Sequence, residues 1–459
     1  MPNKVTFASV VANRGFRFLW FNQILVQLAY NTLNFALIIW VFKLVGANLA
    51  VSALLLSIYL PVILFGIFAG VFVDIADRRK IIMVVDIVLA VCFLLFVFIK
   101  FSYPLILINT FIINSLAQFF LPSENSSIPM LLSKKQLFLA NSLFSLTLYG
   151  SFMLGFTMGG PILNHLGINA VFYLGAVLLS IAFILASQLP VIKVKGLGQR
   201  FADFLSISNI ERTIILTAAE TKQTFNFIKG KLEVGVAIIL MSLVQGVVGI
   251  LAVVMPAYFE QVLRIRATDS SYFVMLPLGL GMVTGAFLVG RLFHSRPKRL
   301  VVVPAIISGG IIFTLAGLTP FIANILQSTD LPIHITRPRY FLRVPSLSTI
   351  FAIGAYLAGF CMVSIIIPCQ TVLQESTPEE KRGKIFSVLA VVMTAFAAIP
   401  VILAGSLSDL FGVTPFITSI GFFVVIVGAF VARPDWFFKK HHLPYAVREF
   451  LGLGHWKES

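Results

Sequence analysis

Asp86 is the residue whose chemistry most needs an account. It stands about one and a half turns inside an apolar block (81–99), where an aspartate costs roughly 2.5–3.5 kcal/mol on the insertion scale. Two readings stay open. Asp86 can titrate as a proton carrier, or it can pair permanently with Arg78, Arg79 or Arg382, whose long side chains reach that depth.

Amides form the second pattern. Gln23, Gln27, Asn31 and Asn34 lie within about 80° of one another on a helix at 100° per residue. Amides in lipid need partners or water, so this stripe faces the interior of a bundle, either lining a cavity or bonding between helices. Asn114, Gln118 and Gln245 sit in similar surroundings. A third string, Gly70-Val-Phe-Val-Asp74-Ile-Ala-Asp77-Arg78-Arg79-Lys80, puts a glycine that permits close approach before a carboxylate and a basic triplet. A carboxylate is favoured beside the positive N-terminal end of another helix; a polar turn with retained basic charge is the plainer reading. Thr377-Pro378-Glu379-Glu380 reads as a capping box that starts a helix, with Pro at its first position. Gly155-Phe-Thr-Met-Gly159-Gly160-Pro161 has the small-residue spacing that lets helices pack tightly.

The elements that must position these residues are membrane spans. The chain is 59% hydrophobic and 11% charged, against about 45–50% and 25% in soluble domains. Its apolar residues fall in blocks long enough to cross a ~30 Å hydrocarbon layer. Spans 1–6 lie near 17–42, 49–73, 81–99, 103–121, 138–163 and 168–190, and spans 7–12 near 234–259, 271–293, 300–322, 347–370, 385–408 and 413–432. Strands of a membrane barrel are short and alternating, so these are helices. The fold class is an all-α integral membrane protein of twelve transmembrane helices in two pseudo-symmetric six-helix halves. Its expected parts are an N-terminal half (1–190), a cytoplasmic linker with an amphipathic helix around 210–228 (191–233), a C-terminal half (234–432) and a cytoplasmic basic, aromatic tail (433–459). The halves match weakly, with Gly290 taking the place of Asp74 and Pro122 matching Pro368. Paired six-helix halves are a transporter architecture, with the site near the midplane.

Placing the N-terminus in the cytoplasm puts 27 of the 34 Lys and Arg on that side and 7 outside. By the positive-inside rule both termini are cytoplasmic, in the cell membrane. That bias also explains the net charge of +16 without nucleic acid as a partner. Cys92, Cys361 and Cys369 lie inside apolar blocks as small hydrophobes. No phosphate-binding loop, metal-ligand spacing or catalytic cluster is present, so no enzyme activity, metal or cofactor is expected, and a proton gradient is the expected energy source.

The string Gly70…Asp74…Arg78-Arg79 resembles the loop signature of the major facilitator superfamily, and twelve spans in two halves agree over nearly the whole chain. Three further stretches resemble the macrolide-efflux and siderophore-export branch of its drug:proton antiporters. They are Asn13-Arg-Gly-Phe-Arg-Phe-Leu-Trp20, then Pro122…Ile128-Pro129 with Ala140-Asn141-Ser142-Leu143, and Gln374-Glu375-Ser-Thr-Pro378-Glu-Glu-Lys-Arg382-Gly383-Lys384. The resemblance implies the major facilitator fold and a conformational latch in which Asp74 and Arg78, with Gly70, hold span 2 to the start of span 11 at Thr377 and Glu380. The 155–161 stretch resembles the exporters' antiporter signature, with Asn164 where a further Gly is usual. Neither the acid often found near Tyr30 in span 1 nor the Arg of span 4 in many proton-driven relatives is present.

These readings converge on a secondary transporter working by alternating access, a monomer exporting small amphipathic or hydrophobic molecules by proton antiport, with membrane lipids as its other partner. A lysophospholipid or lipid flippase, or a facilitator of the same fold, is the competing transport reading. A non-transporting membrane receptor is the competing class.

Overall fold

A computed structural model describes residues 6–133, 136–190, 232–292, 299–321, 347–376 and 382–432, and every structural statement below concerns these. Each apolar block is a helix, since lipid offers the backbone no hydrogen-bond partner other than itself. After a short α1 (Phe7–Val11) come α2 (Arg14–Val45), α3 (Asn48–Ile75), α4 (Arg78–Ile99), α5 (Tyr103–Leu131), α6 (Leu137–His165) and α7 (Ile168–Ser187). Then follow α8 (Leu232–Ala257), α9 (Leu276–Leu292), α10 (Arg299–Gly317), α11 (Leu347–Ser376), α12 (Arg382–Phe411) and α13 (Val413–Ala432). Single π-helical and 3-10 turns fill the path between α8 and α9. Twelve stretches, corresponding to spans 1–12 and to α2–α13, are long and apolar enough to cross a membrane, and there is no strand among the described residues. The tail and most of the linker, including the expected amphipathic stretch around 210–228, lie outside them.

The chain divides into two compact units, Met1–Gly46 with Ala53–Gln223, and Ala47–Ser52 with Thr224–Ser459. In the first unit α2 packs on α6 and α7, and α4 packs on α7 and α5. Small residues set these approaches, because apolar burial drives nothing between helices already in lipid. A Cβ on Gly155 would lie 2.6 Å from the Asn31 Cβ, and one on Gly159 would lie 2.6 Å from the Phe35 ring. The outward faces are apolar. On α4, Val84, Ile87, Val91, Leu94 and Phe98 are exposed at helical spacing, while Ile82, Asp86, Leu89, Phe93 and Phe96 are buried on the opposite side. The polar residue therefore faces inward and the hydrocarbon face outward, inverting a soluble helix.

In the second unit α10 packs on α13, α9 on α11 and α8 on α12. The first turn of α3 groups with this unit for a clear reason. Asp409 on α12 accepts from the Asn48 backbone N–H (3.0 Å), the Asn48 side-chain amide (2.9 Å) and the Leu49 N–H (2.9 Å). It thereby caps donors that a helix start leaves without partners. Gly405 lets that turn approach, as a Cβ there would fall 2.6 Å from the Leu49 Cα. The interior of the unit is apolar, with a void of ≈ 30 Å³ lined by residues such as Val244, Ile306, Phe313, Cys361 and Met362.

One boundary differs from its expectation with consequences for the site. Span 4 was expected to stop at Pro122, but α5 runs through Pro122 and Pro129 to Leu131. Proline removes one N–H but does not end a helix whose neighbours restore the bonding. Here serine hydroxyls donate back along the helix, Ser123 to Phe119 O (2.7 Å), Ser126 to Pro122 O (2.6 Å) and Ser127 to Ser123 O (2.6 Å). Likewise α6 continues past Pro161 to His165.

Candidate functional site

The first unit holds two polar clusters on the same helices. The deeper one centres on Asp86, which is fully buried. Its Oδ2 accepts from the Asn22 Nδ2 at 2.6 Å, and the same amide donates to the Ala182 carbonyl on α7 at 2.9 Å. One side chain thus ties α2, α4 and α7. The Asp86 Oδ1 and the Asn22 Oδ1 have no hydrogen-bond partner. Of the two readings of Asp86, permanent pairing lacks its partner among the described residues. Arg78 instead donates to Ser126 O (3.0 Å) and the Met130 sulfur (2.9 Å), and Arg79 donates to Ser187 O. The side chain of Arg382 lies outside the described set.

Asp86 is not the only buried acid of the spans. Because α5 runs on past Pro122, Glu124 lies within a span, 1% exposed and with both carboxyl oxygens unpartnered. It stands in the electrostatic field of Asp86. At 1.5 Å per residue, Asn22 and Asp86 lie about 12 Å from the starts of α2 and α4, and Glu124 about 10 Å from the end of α5. Those ends meet, since the Asn13 amide donates to Leu131 O at 2.8 Å. A signal for Glu124 was present in the sequence. Phe120, Ser123, Glu124, Ser127 and Ile128 keep helical spacing and are all buried, but the serines and prolines between them read as a loop.

The second cluster lies near mid-helix. The Tyr30 hydroxyl donates to the Asn114 Oδ1, and Asn34 is within its reach. The Asn114 amide donates back to Thr110 O at 2.8 Å, and the Gln118 amide to Asn114 O at 3.2 Å. The stripe on α2 therefore splits. Gln27 and Asn34 are half-buried beside Tyr30, whereas Gln23 and Asn31 are buried, Asn31 against Gly155. Gln245 is half-buried on α8 in the second unit. Of the expected latch, Gly70 and Asp74 fall in the last turns of α3 with their side chains outside the described set. Thr377 and Glu380 lie outside the described residues. Arg78 is buried at the start of α4.

Twelve apolar helices in two units, with amides clustered at mid-span and acids buried nearer one end, are the make-up of a multi-pass membrane protein with polar groups inside its bundle. The family model described as Major Facilitator Superfamily matches residues 19–331, and the chain belongs to that superfamily. It is 23% identical over 424 residues to macrolide efflux protein A of Streptococcus pyogenes, covering 89% of this chain and 93% of that protein. It is equally 23% identical over 394 residues to an uncharacterised transporter of the superfamily, YfiS of Bacillus subtilis (strain 168), covering 84% and 85%. Among solved structures, the nucleoside transporter NupG superposes with a TM-score of 0.68 at 11% identity, over 92% of this chain and 99% of that one. An autoinhibited peptide transporter of the POT family gives 0.63 at 12%, over 94% and 99%.

Proposed function

We propose that the protein exports small amphipathic or hydrophobic molecules across the cell membrane by alternating access, exchanging them for protons. The observation that carries this reading is the mid-span cluster of Tyr30, Asn34, Asn114 and Gln118 on α2 and α5. It offers a few orienting donors and acceptors in otherwise apolar surroundings, the usual make-up of a small-molecule site. The name of the streptococcal relative, a macrolide efflux protein, supports both the direction and the cargo class. Both termini face the cytoplasm in this reading, from the 27 to 7 distribution of basic residues. Gly70, Asp74 and Arg78 then lie at the cytoplasmic ends of α3 and α4, and the latch role that the resemblance implies for them and for Thr377 and Glu380 belongs to this proposal. Gln27 and Gln245 join the surfaces that meet the cargo.

Reconstitution into liposomes with an imposed pH gradient tests this, following ethidium, erythromycin and a labelled lysophospholipid in parallel. Gradient-driven movement of ethidium or erythromycin is the expected result. Movement of the lysophospholipid alone replaces the exporter with a flippase, and saturable binding without flux of any probe replaces it with a receptor.

A further inference from the structure

We propose that Asp86 and Glu124 together form one proton-binding site, with Asn22 as the residue that positions it. Four buried acceptor atoms at about the same depth on α2, α4 and α5 have no donor: Asp86 Oδ1, both Glu124 oxygens and Asn22 Oδ1. Buried polar atoms are normally bonded, and a set of acceptors left without a donor needs a proton or another small cation. Two carboxylates within each other's field do not both stay ionised when neither has a cation partner. No ion pair reaches either acid among the described residues, the Arg78 and Arg79 guanidinium groups being turned to Ser126, Met130 and Ser187.

The geometry also divides the labour between the two acids. The Asn22 amide donates to Asp86 Oδ2 at 2.6 Å, and a donor on a carboxylate favours its ionised form. Glu124 has no donor on either oxygen and is the member that holds the proton. Of the other charged and titratable groups on the packed helices, Lys80 lies in the first turn of α4, Cys92 is buried on α4 beyond Asp86, Tyr30 belongs to the mid-span cluster and Lys43 lies in the last turn of α2. Arg14 and Arg17 lie in the first turn of α2, and Tyr103 at the far end of α5. Tyr173, the one titratable residue of α7, is exposed. The side chain of Asp74 on α3 is outside the described set.

Release breaks the Glu124 O–H bond, leaves the electron pair on the carboxylate and passes the proton to water at the nearer end of α5. The hydroxyls of Ser123, Ser126 and Ser127 give that stretch its polar face. Uptake reverses the step in the opposite conformation, one proton per cycle. Glu124 shares α5 with Asn114 and Gln118, with the hydrogen-bond gap of Pro122 between them, and Asn22 shares α2 with Tyr30. Both clusters therefore move with the same two helices.

The inference deepens the exporter reading and rests on it for its role in transport, while proton binding itself is measured without substrate. The test is an infrared difference spectrum between acid and alkaline pH on proteoliposomes of the full chain, read at the protonated-carboxyl C=O stretch. Wild type is expected to show the band, Glu124→Gln to lose it and Asp86→Asn to shift it. In the same vesicles, gradient-driven ethidium flux in Glu124→Gln should fall to the rate without a gradient, while ethidium counterflow persists. A band unchanged in both variants overturns the proposal. So does counterflow lost together with gradient-driven flux, which marks a structural role, or flux that follows sodium and ignores pH. If Glu124→Gln does not fold, Asp86→Asn and the wild-type band decide alone. A Glu124-dependent band in a wild type that moves no probe keeps the proton site and rejects the exporter.

Discussion

Replacing Asn22 with alanine removes two hydrogen bonds at once, 2.6 Å to Asp86 and 2.9 Å to Ala182 O. The first ends on a carboxyl, and a bond to a charged group is worth about 1.5–3 kcal/mol. The second ends on a helical carbonyl, and bonds between helices in bilayers average about 0.6 kcal/mol. The expected loss is therefore about 2–3.5 kcal/mol. Reversible unfolding by SDS titration in mixed micelles measures it, for Asn22→Ala, Asp86→Asn and the double variant. Most of the cost requires the charge on Asp86, so Asn22→Ala should be cheaper once Asp86 is asparagine. The coupling is expected to be about 1.5 kcal/mol or more, well outside the ~0.5 kcal/mol within which independent sites add. Additive costs would mean that the amide does not hold the acid, and the positioning role of Asn22 would fall with it.

Glycine contacts give a paired prediction. Gly155→Ala puts a Cβ 2.6 Å from Asn31 and should destabilise by about 1–3 kcal/mol through overpacking. Gly309→Ala meets nothing nearer than Cys361 at 3.8 Å and should be neutral or stabilise by up to about 1 kcal/mol; thermal unfolding in detergent separates the two. Asp409→Ala strips the cap from the first turn of α3 and should cost about 0.5–2 kcal/mol. An unchanged unfolding midpoint would show that water caps that turn equally well. Gln27→Leu should narrow the set of probes carried without lowering the amount of folded protein, whereas an unaltered profile in a competition assay would return Gln27 to helix packing.

What the sequence determined was the existence of the spans, because crossing hydrocarbon requires length and apolar composition in one continuous stretch. Both are local properties that a chain displays without its neighbours. Asp86 was legible for the same reason, as a charge in the wrong solvent. The basic bias and the Gly70–Lys80 string were enough to suggest the superfamily, which the match over residues 19–331 then established.

The site was legible only in part. Gln23, Gln27, Asn31 and Asn34 share a face by helical geometry, but which of them meets Tyr30 and Asn114 and which meets Gly155 depends on where α5 and α6 lie around α2. Glu124 stayed hidden because serines and prolines signal a loop in isolation. Inside a bundle the serines bond back along the helix, and α5 continues through them. That Asn22 ties α2 to α4 and α7, and that a second acid is buried on α5, is likewise a matter of packing. Hydropathy fixes that a helix crosses the membrane, whereas its rotation and its neighbours come from contacts between residues far apart in the chain, and those contacts exist only once the bundle has formed.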